Sequence, residues 1–275
     1  MRYALLIGVA YVHTEYSLPG CLNDIARISK YVGSQRFDRV DIMHDELSLS
    51  SPNYPSRNNV LIKIYRAVRS MTARDQLWIH FSGHGFYVGS GNETISTTSG
   101  NSISTTSNEC ILLRNAEQKT LADIDETNTL CDEQMIRIFD HLPEAATVLV
   151  TVDACHSGSM FDLRYNMQVL AGSSTRAEFV LHEQHSRELH KNVAIFTATN
   201  KEKYAWDVEH KDGLSYGIFT TYLMDLLEQV KSEGKTLSYM ELLFLLHKRL
   251  QTRENKQDPR LSISYKEMAE RMVWL

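Results

Sequence analysis

Two short runs of this sequence pair a reactive side chain with glycine. Phe81-Ser82-Gly83-His84-Gly85 sets an imidazole between two glycines, and Asp153-Ala154-Cys155-His156-Ser157-Gly158 sets a thiol among small residues. A cysteine becomes a nucleophile when a nearby base or cation turns it into thiolate, and a histidine supplies that base. Cys155 and His84 are far apart along the chain, so folding has to bring them together, as is usual for such a pair. His156 is a rival base, but an immediate neighbour on a turn normally points elsewhere. Packing is the plainer alternative, because a lone cysteine commonly serves as a small core residue. Glycine on both sides of His84 argues against packing alone: it lets backbone approach a ligand closely and exposes the ring.

Both runs follow apolar segments that read as buried strands. Tyr3 to Val9, Gln76 to Phe81, Ala146 to Val152 and Val193 to Thr197 are continuously apolar rather than alternating, which suits strands covered on both faces. Helical spacing of apolar residues marks Asn23 to Val32, Asn59 to Met71, Asp132 to Leu142, Ile218 to Val230 and Ser238 to Leu250. Strand alternating with helix predicts an α/β fold, an open, mostly parallel β-sheet sandwiched by helices on both faces. Such a sheet places its site at the C-terminal ends of its strands, where the two reactive runs emerge. Two polar stretches break the rhythm. Gly89 to Ser107 reads as a long surface loop, and Leu163 to Lys191, with Arg164, Arg176, Arg187 and Lys191, as a solvated connection.

Composition narrows the classes. The 275 residues are 43% hydrophobic and 23% charged, enough for one large domain or two small ones. Lys and Arg number 29 against 34 Asp and Glu, so the basic excess of a nucleic-acid binder is missing. Cysteines at 21, 110, 131 and 155 are too few and too scattered for a disulfide scaffold, and no pair has the spacing of a zinc cluster or redox motif. No Gly-x-Ser-x-Gly elbow is present. No apolar run reaches the roughly 18 residues of a membrane span, and no leader pattern opens the chain. The expectation is a soluble protein of a reducing compartment, cytoplasmic, with no nucleic-acid or membrane partner and no organic cofactor.

The two reactive runs resemble the His and Cys motifs of metacaspases, in the caspase-like clan of cysteine peptidases. Ala4-Leu5-Leu6-Ile7-Gly8-Val9 and Leu18-Pro19-Gly20-Cys21-Leu22-Asn23-Asp24 resemble that family's first strand and the loop after it. Together the four ordered motifs reach from Tyr3 to about Leu227. The resemblance implies a single caspase-like peptidase domain over residues 1–275, without a prodomain. It would comprise a large-subunit-like half (1–163) carrying a Cys-His dyad, a flexible linker (164–191) and a small-subunit-like half (192–275). It also implies Cys155 as nucleophile, His84 as base and later acid, and the backbone N–H groups of Gly85 and Cys155 as oxyanion donors. No Asp or Asn orienting the histidine is evident, and the family typically manages with the dyad.

Metacaspases resemble one another in cleaving after Arg or Lys. Asp24 and Asp153 match the acidic residues of their first specificity pocket, and Cys21 and Ser82 its neutral wall; two carboxylates suit a guanidinium fork. Asp24 could equally cap a helix, and Asp153 could simply end its strand. The family's calcium site implies Asp132, Glu133, Asp162 and Asn108 as metal ligands. Asn108 stands where an acid is usual, and one charge fewer weakens a hard-cation site. Asp132 and Glu133 could instead merely favour a helix N-terminus. Phe196-Thr197-Ala198-Thr199-Asn200, Tyr204-Ala205-Trp206-Asp207 and Gly217-Ile218-Phe219-Thr220 resemble the small-subunit half with its cleft loops; Trp206 would wall the cleft or pack in the core. The implied function is a calcium-stimulated cysteine endopeptidase acting after Arg or Lys. Its substrates would be proteins or peptides, it would be monomeric, and it would process itself at the basic residues of 164–191. The alternative is a catalytically silent scaffold of the same fold acting through protein interactions.

Overall fold

A computed structural model describes residues 1–89, 107–154, 163–170, 179–183, 189–198, 207–209, 213–251 and 257–275. The chain runs β1 (Arg2–Gly8), α1 (Gly20–Gly33), β2 (Arg39–His44), α2 (Arg57–Ser70), β3 (Gln76–Ser82), β4 (Gly85–Gly89) and β5 (Ser107–Leu112). It continues through β6 (Thr129–Cys131), α3 (Asp132–Phe139), β7 (Thr147–Asp153), β8 (Tyr165–Val169), β9 (Phe179–Glu183) and β10 (Asn192–Thr197). It closes with β11 (Asp207–Glu209), β12 (Ser215–Gly217), α4 (Ile218–Ser232), α5 (Tyr239–Leu250) and β13 (Arg260–Ile263).

Eight strands form one sheet in the order β2-β1-β3-β7-β10-β13-β8-β9. The first five are mutually parallel, and β13, β8 and β9 join antiparallel. The four continuous apolar runs are β1, β3, β7 and β10, at or next to the centre, and each buries both faces. Tyr3, Leu5 and Ile7 of β1 face a layer with Val60 and Ile64 of α2 and Phe139 of α3, whereas Ala4 and Leu6 face Ile25 and Ile28 of α1 together with α4 and α5. That division gives the expected helix–sheet–helix sandwich. Helix starts follow local chemistry: Ser56 caps α2 through Asn59 N–H, and Ser238 with Glu241 forms a reciprocal capping box on α5.

Three features depart from expectation. Residues 164–191 are not a bare linker, because β8 and β9 pair with each other inside this stretch and extend the main sheet from β13. Both are antiparallel strands at or next to the sheet edge, so their short, mixed sequences lack the apolar run that marked the central strands. The stretch around the Gly/Ser/Thr segment is bounded by β4 and β5, which form a small antiparallel sheet with β6. Cys110 and Cys131, opposite each other on β5 and β6, are joined by a disulfide. The scattered cysteines thus include one bridged pair, created by strand register rather than by spacing.

Candidate active site

Sheet register sets the site. Gly8, Ser82 and Asp153 form one row across the C-terminal ends of β1, β3 and β7. His84 follows two residues after Ser82. Cys155 follows two residues after Asp153 and lies outside the described residues, as do Asp162, Trp206, Arg176 and Arg187.

His84 is held from several sides. Its backbone N–H donates to Tyr11 Oη at 2.8 Å, Tyr11 O–H donates to the Leu112 carbonyl at 2.9 Å, and Leu112 N–H donates to the His84 carbonyl at 2.9 Å. This ring of bonds ties the turn after β3 to β5. The imidazole lies 4.7 Å from the Tyr11 ring, 5.7 Å from Tyr16 and 5.9 Å from Phe86, centroid to centroid. Gly83 leaves room for this arrangement: a methyl there would meet Tyr11 Oη at 2.8 Å and Phe81 Cζ at 2.7 Å. His84 Nε2 lies 2.9 Å from the Tyr16 carbonyl, which only accepts, so Nε2 carries the proton and Nδ1 keeps its lone pair. Burial lowers the His84 pKa, and the bond to Tyr16 opposes that shift in part. Gly85 is buried and opens β4 directly after this histidine.

The loop supplying both tyrosines is itself anchored. Asp45 accepts from Ala10 N–H at 2.8 Å and Val12 N–H at 3.1 Å. Arg114 stands 3.6 Å from the Asp45 carboxylate and donates to the Val12 carbonyl at 2.7 Å. Tyr11 is fully buried at φ 52, a left-handed conformation uncommon for an aromatic residue and the kind of strain that clusters at functional sites. Burial also holds its phenol well above the ordinary value, so it remains a donor. Sequence reasoning missed the Tyr16 carbonyl, because a backbone acceptor has no residue signature. Tyr11 stands beside the recognised first-strand motif and carried no signal of its own.

Three of the residues matched to a specificity pocket, Asp24, Ser82 and Asp153, do meet. Asp24 lies inside α1, not at its cap, and is completely buried. It accepts from Ser82 Oγ at 2.6 Å and from Gly217 N–H at 3.0 Å. Asp153 ends β7 and is also buried; its Oδ2 accepts from Thr220 N–H at 2.9 Å and Thr220 Oγ at 2.7 Å. A methyl on Gly217 would come within 2.1 Å of Asp153 Oδ2 and 2.9 Å of Asp24 Oδ2, so the two carboxylates flank one point. Cys21, one helical turn before Asp24, is buried and stands outside the disulfide. Neither local alternative for the acids accounts for their meeting across α1, β3, β7 and α4.

The residues matched to a metal site fall elsewhere. Asp132 and Glu133 open α3; Asp132 accepts from Glu133 N–H at 2.6 Å, and Glu133 pairs with Arg137 at 3.3 Å. Asn108 lies on β5 opposite Val88, two residues before the bridged Cys110 whose partner Cys131 precedes Asp132. Topology therefore carries Asn108 toward the start of α3. Among the described residues no group of three or more acids, histidines or cysteines forms a ready metal cage. No helix among them is long and apolar enough to cross a membrane.

A family model described as "Metacaspase, peptidase C14 domain" matches residues 2–164. Metacaspase-1B of Aspergillus terreus is 38% identical over 86 residues, covering 30% of this chain and 23% of that protein. Metacaspase-3 of Trypanosoma cruzi is 26% identical over 272 residues, covering 95% of this chain and 70% of that protein. The chain thus spans about a quarter of the Aspergillus relative's length. The crystal structure of Caspase-1 from Spodoptera frugiperda superposes with a TM-score of 0.55 at 15% identity, over 95% of this chain and 85% of that one. That likeness shows a caspase-like α/β fold.

Proposed function

The chain belongs to the metacaspase family, and from that membership we propose that it is a cysteine endopeptidase cutting protein or peptide substrates after Arg or Lys. The observation that carries this reading is the meeting of two buried carboxylates, Asp24 and Asp153, at the strand ends that lead into His84 and Cys155. Cys155 is the nucleophile. His84 takes its proton at Nδ1, the nitrogen that the Nε2–H bond to Tyr16 leaves as acceptor. The thiolate attacks the scissile carbonyl, and the oxyanion is met by backbone N–H groups of Gly85 and Cys155, each contributing roughly 3 kcal/mol in comparable sites. His84 then returns its proton to the leaving amine, and water releases the acyl-enzyme. The Tyr16 carbonyl orients the imidazole in place of a third side chain. Asp24 and Asp153, with Cys21 and Ser82 beside them, select the cationic side chain of the substrate.

Calcium activation belongs to the same proposal. Asp132 and Glu133 are oxygen donors of the type a hard divalent cation takes, and with Asn108 and Asp162 they would hold it at the start of α3. Self-cleavage would fall in the connections around β8 and β9, which carry Arg164, Arg176, Arg187 and Lys191.

The test is turnover of a peptidyl-Arg coumarin by the native protein and by Cys155→Ala, with calcium or with chelator. Turnover by the native protein alone, rising with calcium, is expected. Absence of Cys155-dependent turnover in either condition would return the chain to a scaffold role.

A further inference from the structure

Gly217-Ile218-Phe219-Thr220 has no part in the chemistry of bond cleavage, yet its backbone and one hydroxyl grip both buried acids. Two carboxylates around one point repel, and a recess poor in donors keeps only one of them ionised. Here Gly217 N–H reaches Asp24 Oδ1 at 3.0 Å, while Thr220 N–H and Oγ converge on Asp153 Oδ2 at 2.9 and 2.7 Å. Ser82 Oγ adds a bond to Asp24 Oδ2 at 2.6 Å. The Gly217 and Thr220 donors stand at the start of α4, a 15-residue helix whose positive end favours negative charge. Gly217 has no tolerance for a side chain, since a methyl would overlap Asp153.

We infer that the Gly217–Thr220 turn sets substrate charge specificity: Thr220 and the Gly217 N–H are positioning groups that hold Asp24 and Asp153 together as a two-carboxylate receptor for one cationic side chain. Thr220 acts through Asp153. The inference rests on the Arg/Lys reading proposed above. It adds that discrimination between a cationic and a neutral side chain depends on the start of α4, an element distant in sequence from both acids.

The experiment compares peptidyl-Arg with peptidyl-citrulline, a neutral analogue of nearly the same shape, in the native protein and in Thr220→Val, Thr220→Ala and Thr220→Ser. Loss of a hydrogen bond to a charged group corresponds to about a tenfold change. Val and Ala are expected to lower kcat/KM for the Arg substrate about tenfold, through KM rather than kcat, and to leave the citrulline substrate unchanged. Ser keeps the hydroxyl and is expected to recover most of the loss. Equal losses on both substrates, or none in either Val or Ala, would overturn the inference. Should Val not fold, Ala, which removes the hydroxyl without adding bulk, decides between the same two outcomes. A native protein that cleaves neither substrate overturns the underlying reading instead, so the two failures are separable.

Discussion

Tyr11 holds His84 twice: its ring lies 4.7 Å from the imidazole, nearer than those of Tyr16 and Phe86, and its hydroxyl accepts the histidine's backbone N–H. Replacing Tyr11 by Phe removes only the oxygen. It leaves the buried His84 N–H and Leu112 carbonyl to find other partners, and the turn that aims Nδ1 loses its tie to β5. Small misplacements near a reacting pair cost roughly a hundredfold at worst, so Tyr11→Phe is expected to lower kcat about ten- to a hundredfold with KM nearly unchanged. A rise in KM at constant kcat would move Tyr11 to substrate binding. The same histidine sets a pH expectation. Burial favours its neutral form, and in the proposed mechanism the neutral form is the base, so protonation would silence it only below the ordinary imidazole value of 6.5. The acid limb of kcat/KM is therefore expected below pH 6.5; a limb above that value would contradict the assignment.

At the scale of elements, the small sheet β4-β5-β6 is the bracket for the turn that carries His84. Leu112 of β5 bonds both to His84 and to Tyr11, and two residues earlier Cys110 is bridged to Cys131 of β6. Closing a loop of 21 residues stabilises a fold by about 3 kcal/mol in the chain-entropy account. The double variant Cys110→Ser/Cys131→Ser is expected to melt roughly 6–12 °C lower by calorimetry. In denaturant without reductant, thiol titration should find two of the four cysteines, Cys21 and Cys155, and four after reduction. Four thiols before reduction would remove the bridge. This bracket was hardly legible in the sequence, and the reason is physical. Central strands such as Gln76–Ser82 and Thr147–Asp153 are buried on both faces and read as apolar runs, whereas Ser107–Leu112 and Tyr165–Val169 owe their state to distant partners. The helices were readable from their stripes, though α1 begins at Gly20, ahead of the first predicted turn. Of the site, the thiol, the imidazole and the two acids could be picked out by type and motif. What orients them could not: a carbonyl, two backbone N–H groups and a hydroxyl on α4 become partners only through tertiary contact.

At the scale of the molecule, the sheet that displays the site also encloses a second histidine. His80 sits in the middle of β3, fully buried, with Nδ1 2.8 Å from Thr151 Oγ, which also accepts from Trp78 Nε1 at 2.9 Å. Its Nε2 meets no partner among the described residues. Burial pushes its pKa down from 6.5 to about 3. Above pH 6.5 folded and unfolded chains both carry a neutral ring, and stability is untouched by this group. As pH falls below 6.5 the unfolded chain takes up a proton that the fold refuses, so stability declines until about pH 3, where both states are protonated. The full difference is roughly 4–5 kcal/mol, a large share of the 5–15 kcal/mol typical of a domain. Denaturant midpoints measured from pH 7.5 down to 4 should therefore fall in the native protein and fall less in His80→Leu, whatever the variant's stability at neutral pH. Parallel curves would show that acid sensitivity arises elsewhere. Under the proposed function the distinction separates two acid effects: a reversible limb would belong to His84, whereas activity that does not return on neutralisation would report the sheet giving way around His80.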